Sequence, residues 1–268
     1  MTGDALAKVL NTAADAAAGA FAQARQRWAP GELSRTVGIG GDGTPTSRLD
    51  QIVDEAVLAA VDRLAVNVLS EEAGWVDRGS AVTLAVDPVD GTANALAGVP
   101  LCTFSAAVVV DGEPVGALTR WLDGGRDWLC WNDQPGGGPW ATTGRRRLQG
   151  AAVSLLRPQP ASRTAWYRIS EQASRVRVLS CSTLEAVLVC TGATDAFVDA
   201  GADVHRYVDL VAAVVYARAA GATVADGFGR PVEFDTDLTR RWSGVVAASP
   251  ELAEQLQAVI AAAKPEIG

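Results

Sequence analysis

Histidine is almost absent from this sequence: His205 is the only one in 268 residues. The four cysteines, Cys102, Cys130, Cys181 and Cys190, form no CxxC pair and no cluster with histidine. A zinc site of thiolates and imidazoles is therefore not expected. The cysteines read as small core residues of a cytosolic protein rather than as a disulfide framework. Positive charge is also scarce. Acidic residues number 31 against 23 basic ones, a net charge of -8, which leaves no general attraction for nucleic acid or for an anionic membrane. Aromatic residues make up 6% of the chain. Trp121, Trp128, Trp131 and Trp140 fall at strand-like positions, as core or subunit-contact residues, and form no stacking platform for bases. No 18-residue apolar run is free of charge, so no membrane span is expected. The first residues are amphipathic and open on an acid, which is not the pattern of a signal peptide. The expected location is cytoplasmic.

What is present is a large apolar fraction, 49%, enough to bury a substantial core. Residues 5–28 read as an alanine-rich amphipathic helix stopped by Pro30-Gly31. The glycine-rich stretch VGIGGDGTPTSRLD reads as a flexible or ligand-facing loop leading into a second helix near 47–65. A short strand, VNVLS, ends at Glu71 and Glu72. TLAVD, FSAAVVV, EPVGALTRWL and DWLCWN then read as strands separated by tight turns, with a hairpin at Asp111-Gly112. Residues 132–150, rich in Gly, Pro and Thr, read as the edge of a first subdomain spanning 1–140. In the second, 141–268, strands (AAVSLL, RVRVLS, DAFVDA, ATVADG, SGVVAAS) alternate with helices near 162–172, 183–192 and 208–220 and from Pro250. Helices are expected on both faces of that sheet. No tandem repeat is visible.

The segment LAVDPVDGTANAL, residues 84–96, carries the chemistry. An apolar strand delivers Asp87, Pro88 fixes the backbone, and Asp90 follows before Gly91-Thr92 opens a short helix. Two carboxylates brought together at a strand end repel each other and lose solvation. A divalent cation relieves both penalties, and the Gly91 and Thr92 amides at the helix start favour a phosphate oxygen. Asp50, Glu71 and Asp209 can be placed at the same ends of their own elements. Each alone reads as a cap or a solvated acid; together they point to a metal-and-phosphate site.

With these motifs in hand, the sequence resembles the inositol monophosphatase and fructose-1,6-bisphosphatase superfamily of magnesium-dependent, lithium-sensitive phosphatases. The matching pieces are DGTPTSRLD (42–50), SEEAG (70–74), VDPVDGTAN (86–94) and VDLVAAVVYARAAGATVAD (208–226), which in order and spacing cover most of the chain. VNVLSEEAGWVD, VHRYVDLVAA and PVEFDTDLT resemble its archaeal-type branch, whose members act on fructose 1,6-bisphosphate and inositol 1-phosphate. The resemblance implies a mixed α/β fold, a layered αβαβα sandwich, and a homodimer. It implies magnesium, roughly two or three ions, held by Glu71, Asp87, the Val89 carbonyl, Asp90 and Asp209. Glu71 and Thr92 would hold the attacking water with Asp50 in support, while the Gly91 and Thr92 amides cradle the phosphate. The partner is a small phosphorylated metabolite. Two departures bear on the substrate pocket: Val208 replaces a common tryptophan, and Ser180-Cys181-Ser182 stands where the family usually opens on glycine.

Substrate contacts are expected from Asp90, Ser180, Ser182 and Arg206; Arg206 reads equally as a contact to a substrate hydroxyl or second phosphate and as a solvated surface arginine. Arg120, Arg126 and Arg177 are weaker candidates. His205 reads as a loop or pocket-rim residue. Related readings are a 3'-phosphoadenosine 5'-phosphate or histidinol-phosphate phosphatase, or a non-catalytic metabolite-binding protein with the same fold. Direct attack by water in line with the leaving group suits a site without a nucleophilic histidine or cysteine. Such an enzyme must supply a large part of ~20 kcal/mol to hydrolyse a phosphate monoester.

Overall fold

The computed structural model describes residues 2–263 apart from 132–133 and 136–139. The chain opens with α1 (Gly3–Arg27) and the single turn α2 (Pro30–Leu33), followed by a hairpin of β1 (Thr36–Ile39) and β2 (Pro45–Ser47). Next come α3 (Arg48–Val61), β3 (Asn67–Ser70), β4 (Gly74–Val76), β5 (Val82–Asp90) and the short α4 (Thr92–Ala97). The meander β6 (Thr103–Val110), β7 (Glu113–Trp121), β8 (Arg126–Trp131) and β9 (Gln134–Pro135) completes the first half. The second half runs β10 (Ala152–Leu155), α5 (Arg163–Gln172), β11 (Arg175–Arg177), α6 (Ser182–Cys190), β12 (Ala196–Val198) and α7 (Tyr207–Ala220). It ends with β13 (Thr223–Asp226), β14 (Gly244–Ala247) and α8 (Pro250–Ala261).

A seven-stranded sheet, ordered β4-β3-β5-β6-β7-β8-β9, and a five-stranded sheet, ordered β11-β10-β12-β14-β13, stack with helices between and outside them. α1 and α3 cover the outer face of the larger sheet. Their seam is alanine-rich: Ala13, Ala14 and Ala17 are all buried, so the two helix backbones can approach closely over Val53, Val57 and the β5 residues Leu84 and Val86. α6 and α7 lie between the sheets, and α5 and α8 close the far side. The result is a five-layer αβαβα sandwich. The layering explains why α7 lacks a polar face, since a helix packed against a sheet on each side must be apolar all round. Ten of its residues, Tyr207–Ala213 and Val215–Ala217, are buried.

Several local expectations need correction. The stretch at 37–47 is a two-stranded hairpin, not a loop. All four β1 residues are exposed, so the strand lacks the alternation that marks a half-buried strand. The hairpin tip is pinned where the Gly41 N–H donates to the Glu72 carbonyl at 2.8 Å. A Cβ at Gly41 would come within 2.3 Å of the Gly74 Cα, so only glycine allows the two backbones to cross there. The RVRVLS strand stops at Arg177. Part of the Gly/Pro-rich segment expected to edge the first subdomain lies outside the described residues. All four cysteines are buried, and no disulfide joins them. Trp140 stacks on Tyr216 in the middle layer, ring centroids 4.6 Å apart. No described helix is long and apolar enough to cross a membrane.

Candidate metal centre

The site sits at the C-terminal ends of two parallel strands, where open α/β sheets place ligands. β3 and β5 run parallel with Ser70 opposite Val86. The next residue on each strand is an acid, and the Glu71 N–H donates to the Val86 carbonyl at 3.3 Å. Glu71 and Asp87 are thereby neighbours. Along β5, Asp87 pairs with Ser105 but Asp90 with Thr103, so the strand carries an extra residue between them. Pro88, with no N–H to give the ladder, sits in this bulge. Alternation would send residues three apart to opposite faces; the bulge re-aims Asp90. The Val89 N–H donates to Asp87 Oδ1 at 3.0 Å and fixes that carboxylate.

Asp209 arrives from across the molecule on the first turn of α7, where the helix dipole favours an anion. Its Oδ2 accepts the Arg206 backbone N–H at 2.6 Å. One carboxylate oxygen from each of Glu71, Asp87 and Asp209 lies within 4.8 Å of the others. Six oxygens around a magnesium ion lie roughly 3–4 Å from one another, so a small closure brings the three onto one ion. The donor set is all oxygen, with no thiolate or imidazole, as a hard divalent cation requires. These residues fit such an ion.

Charge in the cluster confirms how much it needs a counter-ion. Burial pushes Asp87 well above the ordinary carboxylate range, and Glu71, Asp90 and Asp209 push it further. Burial likewise raises Glu71, against the pull of Arg206. Arg206 is placed among these acids rather than free for a substrate. Its Nε donates to Asp42 Oδ2 at 2.7 Å, its Nη2 pairs with Glu71 Oε1 at 2.7 Å, and its Nη1 stands 3.5 Å from Asp209 Oδ2. Burial works against the guanidinium charge, but Asp209, Glu71 and Asp42 outweigh it. Asp42, unnoticed in the sequence, is the anchor of this arrangement. Its Oδ1 accepts the Thr44 N–H at 2.8 Å in a tight turn at the hairpin tip. An Asp-Gly turn in a glycine-rich stretch is the one sequence signal that marks it.

Asp90 faces the same region, but its Oδ2 already accepts the Thr183 N–H at 2.6 Å and the Thr183 hydroxyl at 2.8 Å. It ties the end of β5 to the start of α6 and stands outside the three-carboxylate group. Thr92 opens α4, and its Oγ1 lies 2.9 Å from both Asp50 Oδ1 and the Val89 carbonyl. Burial raises the Asp50 carboxyl, with the Ser47 and Thr92 hydrogen bonds opposing. Gly91 caps α4 at φ 83°, and a Cβ there would meet the Leu101 carbonyl at 2.7 Å. Glu72 does not join the cluster; the Thr46 hydroxyl donates to it, and burial pushes its pKa up to about 7.

A cavity of about 310 Å3 adjoins the cluster, with Asp90, Asp209, Arg206, Ser180 and Ser182 in its wall. His205 also lines it but is buried: its Nδ1 accepts the Gly244 N–H at 3.1 Å, and its ring meets Phe197 edge-on. Arg120 is engaged by Asp15 and Asp127, and Arg126 lies over Trp128. Neither lines this cavity.

Ser180 adopts a left-handed backbone, φ 57°, and two side chains hold its turn in place. Asn94 donates to the Leu179 carbonyl at 2.8 Å. The buried Glu185 accepts the Leu179 and Cys181 N–H groups, both at 3.3 Å. Burial pushes the Glu185 pKa from 4.5 up to about 8. A folded-state pKa raised in this way gives stability that is complete below about pH 4.5 and is lost as pH rises through about 8. Glu185→Gln is expected to remove that dependence. Thermal unfolding from acid to mildly alkaline pH should show wild type losing stability relative to the variant; parallel curves would contradict the assignment.

Residues 5–120 match the model of the inositol monophosphatase family. A fructose-1,6-bisphosphatase/inositol-1-monophosphatase of Thermococcus kodakarensis is 31% identical over 246 residues, covering 88% of this chain and 89% of the relative. A fructose-1,6-bisphosphatase of Pyrococcus furiosus is 28% identical over 235 residues, covering 84% and 87%. Among solved structures, a Pyrococcus horikoshii protein described as similar to inositol-1 monophosphatase superposes with a TM-score of 0.80 at 26% identity, covering 96% of this chain and 99% of that one. With its carboxylates gathered at the strand ends, the chain belongs to the inositol monophosphatase family and is a metal-dependent phosphatase.

Proposed function

We propose that this phosphatase hydrolyses a small sugar or cyclitol phosphate, inositol 1-phosphate or fructose 1,6-bisphosphate, by direct attack of water on phosphorus. The observation that carries this reading is the ring of Glu71, Asp87 and Asp209 beside the Thr92–Asp50 pair. Glu71, Asp87 and Asp209 would hold the metal, and Asp90 and the Val89 carbonyl are further oxygen donors that would be available to it. Bound magnesium would neutralise phosphoryl charge and ease ionisation of a nearby water. The chain supplies the rest. Thr92, with Glu71, orients the attacking water, and Asp50 accepts or returns a proton through the Thr92 hydroxyl. The Gly91 and Thr92 amides at the head of α4 receive the phosphate oxygens. Ser180 and Ser182 offer hydroxyls to the sugar or cyclitol ring.

The test is phosphate release from inositol 1-phosphate, fructose 1,6-bisphosphate and 3'-phosphoadenosine 5'-phosphate, with and without magnesium. Magnesium-dependent turnover of either of the first two, well above the third, is the expected result. Preference for the adenosine bisphosphate would replace the substrate assignment, and no turnover of any would remove it.

A further inference from the structure

The cavity beside the acid cluster contains two arginines in very different states. Arg206 is neutralised by Asp42, Glu71 and Asp209. Arg157 is exposed and has no ion pair or hydrogen bond among the described residues. Its backbone is held firmly. Leu156 donates its N–H to the Val198 carbonyl at 3.1 Å, and Gln159 donates its own to Ser162 Oγ at 3.0 Å. Pro158 and Pro160 restrict the chain between these anchors. Arg157 follows β10 of the five-stranded sheet, whereas Asp90 ends β5 of the seven-stranded one. The cavity therefore bridges the two sheets, with the carboxylate cluster contributed at one and a guanidinium at the other. Leu156, Gln159, Ala202 and Val204, also in its wall, carry no charge.

A second cavity, about 510 Å3, shares no residue with this one. Both of its arginines are paired, Arg218 with Glu113 and Arg230 with Asp203 and Asp226, so it offers a ligand no uncompensated charge. Arg157 does. A phosphorylated cyclitol brings one ionised group, which the metal centre takes, and leaves the guanidinium without a partner.

We infer that Arg157 binds a second anionic group of the substrate. The preferred substrate is then a small phosphate ester carrying a further phosphate or carboxylate on the side remote from the scissile bond. This rests on the phosphatase reading above and selects within it. A charge-assisted hydrogen bond of this kind changes affinity by roughly tenfold to a hundredfold.

Arg157→Gln and Arg157→Lys should be compared with wild type at saturating magnesium on fructose 1,6-bisphosphate, 3-phosphoglycerate and inositol 1-phosphate. In Arg157→Gln, the ratio of kcat/KM for the bisphosphate to that for inositol 1-phosphate should fall about tenfold or more, through KM, and Arg157→Lys should recover part of it. A parallel fall for 3-phosphoglycerate means that the subsite accepts either anion; a fall for the bisphosphate alone means that it is built for phosphate. A ratio that stays within about twofold of wild type, whether all three substrates suffer equally or none does, overturns the assignment. Wild-type protein inert toward all three would instead take away the phosphatase reading, and this one with it.

Discussion

Asp87→Asn is expected to lower phosphatase turnover by at least ~1000-fold and, at the same time, to raise the melting temperature measured without added metal. The first effect follows from the loss of a carboxylate that faces the ion; several kcal/mol of transition-state stabilisation rest on such a contact, and about 4 kcal/mol corresponds to 1000-fold. The second follows from the cluster itself. Burial and the like charges of Glu71, Asp90 and Asp209 all disfavour ionised Asp87, so a neutral side chain removes an unfavourable term. Asparagine keeps the shape, and its Oδ1 can still accept the Val89 N–H that fixes Asp87 at 3.0 Å. Each kcal/mol recovered should move the midpoint by roughly 2–4 °C in a domain of this size. Activity assays and thermal scans on the same preparation check both signs. A variant that loses activity and stability together would show that Asp87 holds the fold rather than an ion.

Thr92→Val should give the second largest effect, a fall in kcat of ~100-fold with KM within about threefold of wild type. Valine preserves the branched shape at the head of α4 and removes only the hydroxyl that stands 2.9 Å from both Asp50 and the Val89 carbonyl. One hydroxyl proton cannot serve two acceptors fully. The hydroxyl therefore stands between an acid and a carbonyl, placed to pass a proton on to water. Thr92→Ser keeps the hydroxyl and should recover most of the rate. Steady-state kinetics on the preferred substrate decides the matter: a rise in KM with kcat intact would make Thr92 a binding group only.

Much of this site was legible because its strongest signal is local. Asp87, Pro88 and Asp90 lie within four consecutive positions, and their chemistry follows from the bulge that proline and the strand end impose. Glu71 was readable as an acid at a strand end, but its approach to Asp87 depends on the parallel register of β3 and β5. Asp209 was readable as a helix-start acid, with its meeting with Glu71 set by how α7 is layered. Arg206 illustrates the limit. Its partner Asp42 lies 164 residues away, and no pattern in either segment says that they pair, so a substrate role was the natural expectation. The exposed β1 strand gave no periodic signal. Glu185 and Arg157 matter through what surrounds them, a buried turn in one case and an absence of partners in the other, and neither environment is written in the neighbouring residues.

The most direct measurement is the anomalous difference density of crystals soaked in manganese, a magnesium substitute that also takes oxygen ligands. The strongest peak is expected within coordinating distance, roughly 2.0–2.3 Å, of carboxylate oxygens of Glu71, Asp87 and Asp209, with the Arg206 guanidinium withdrawn from Glu71. Manganese bound elsewhere, with those three carboxylates still held by Arg206 at saturating metal, would contradict the account.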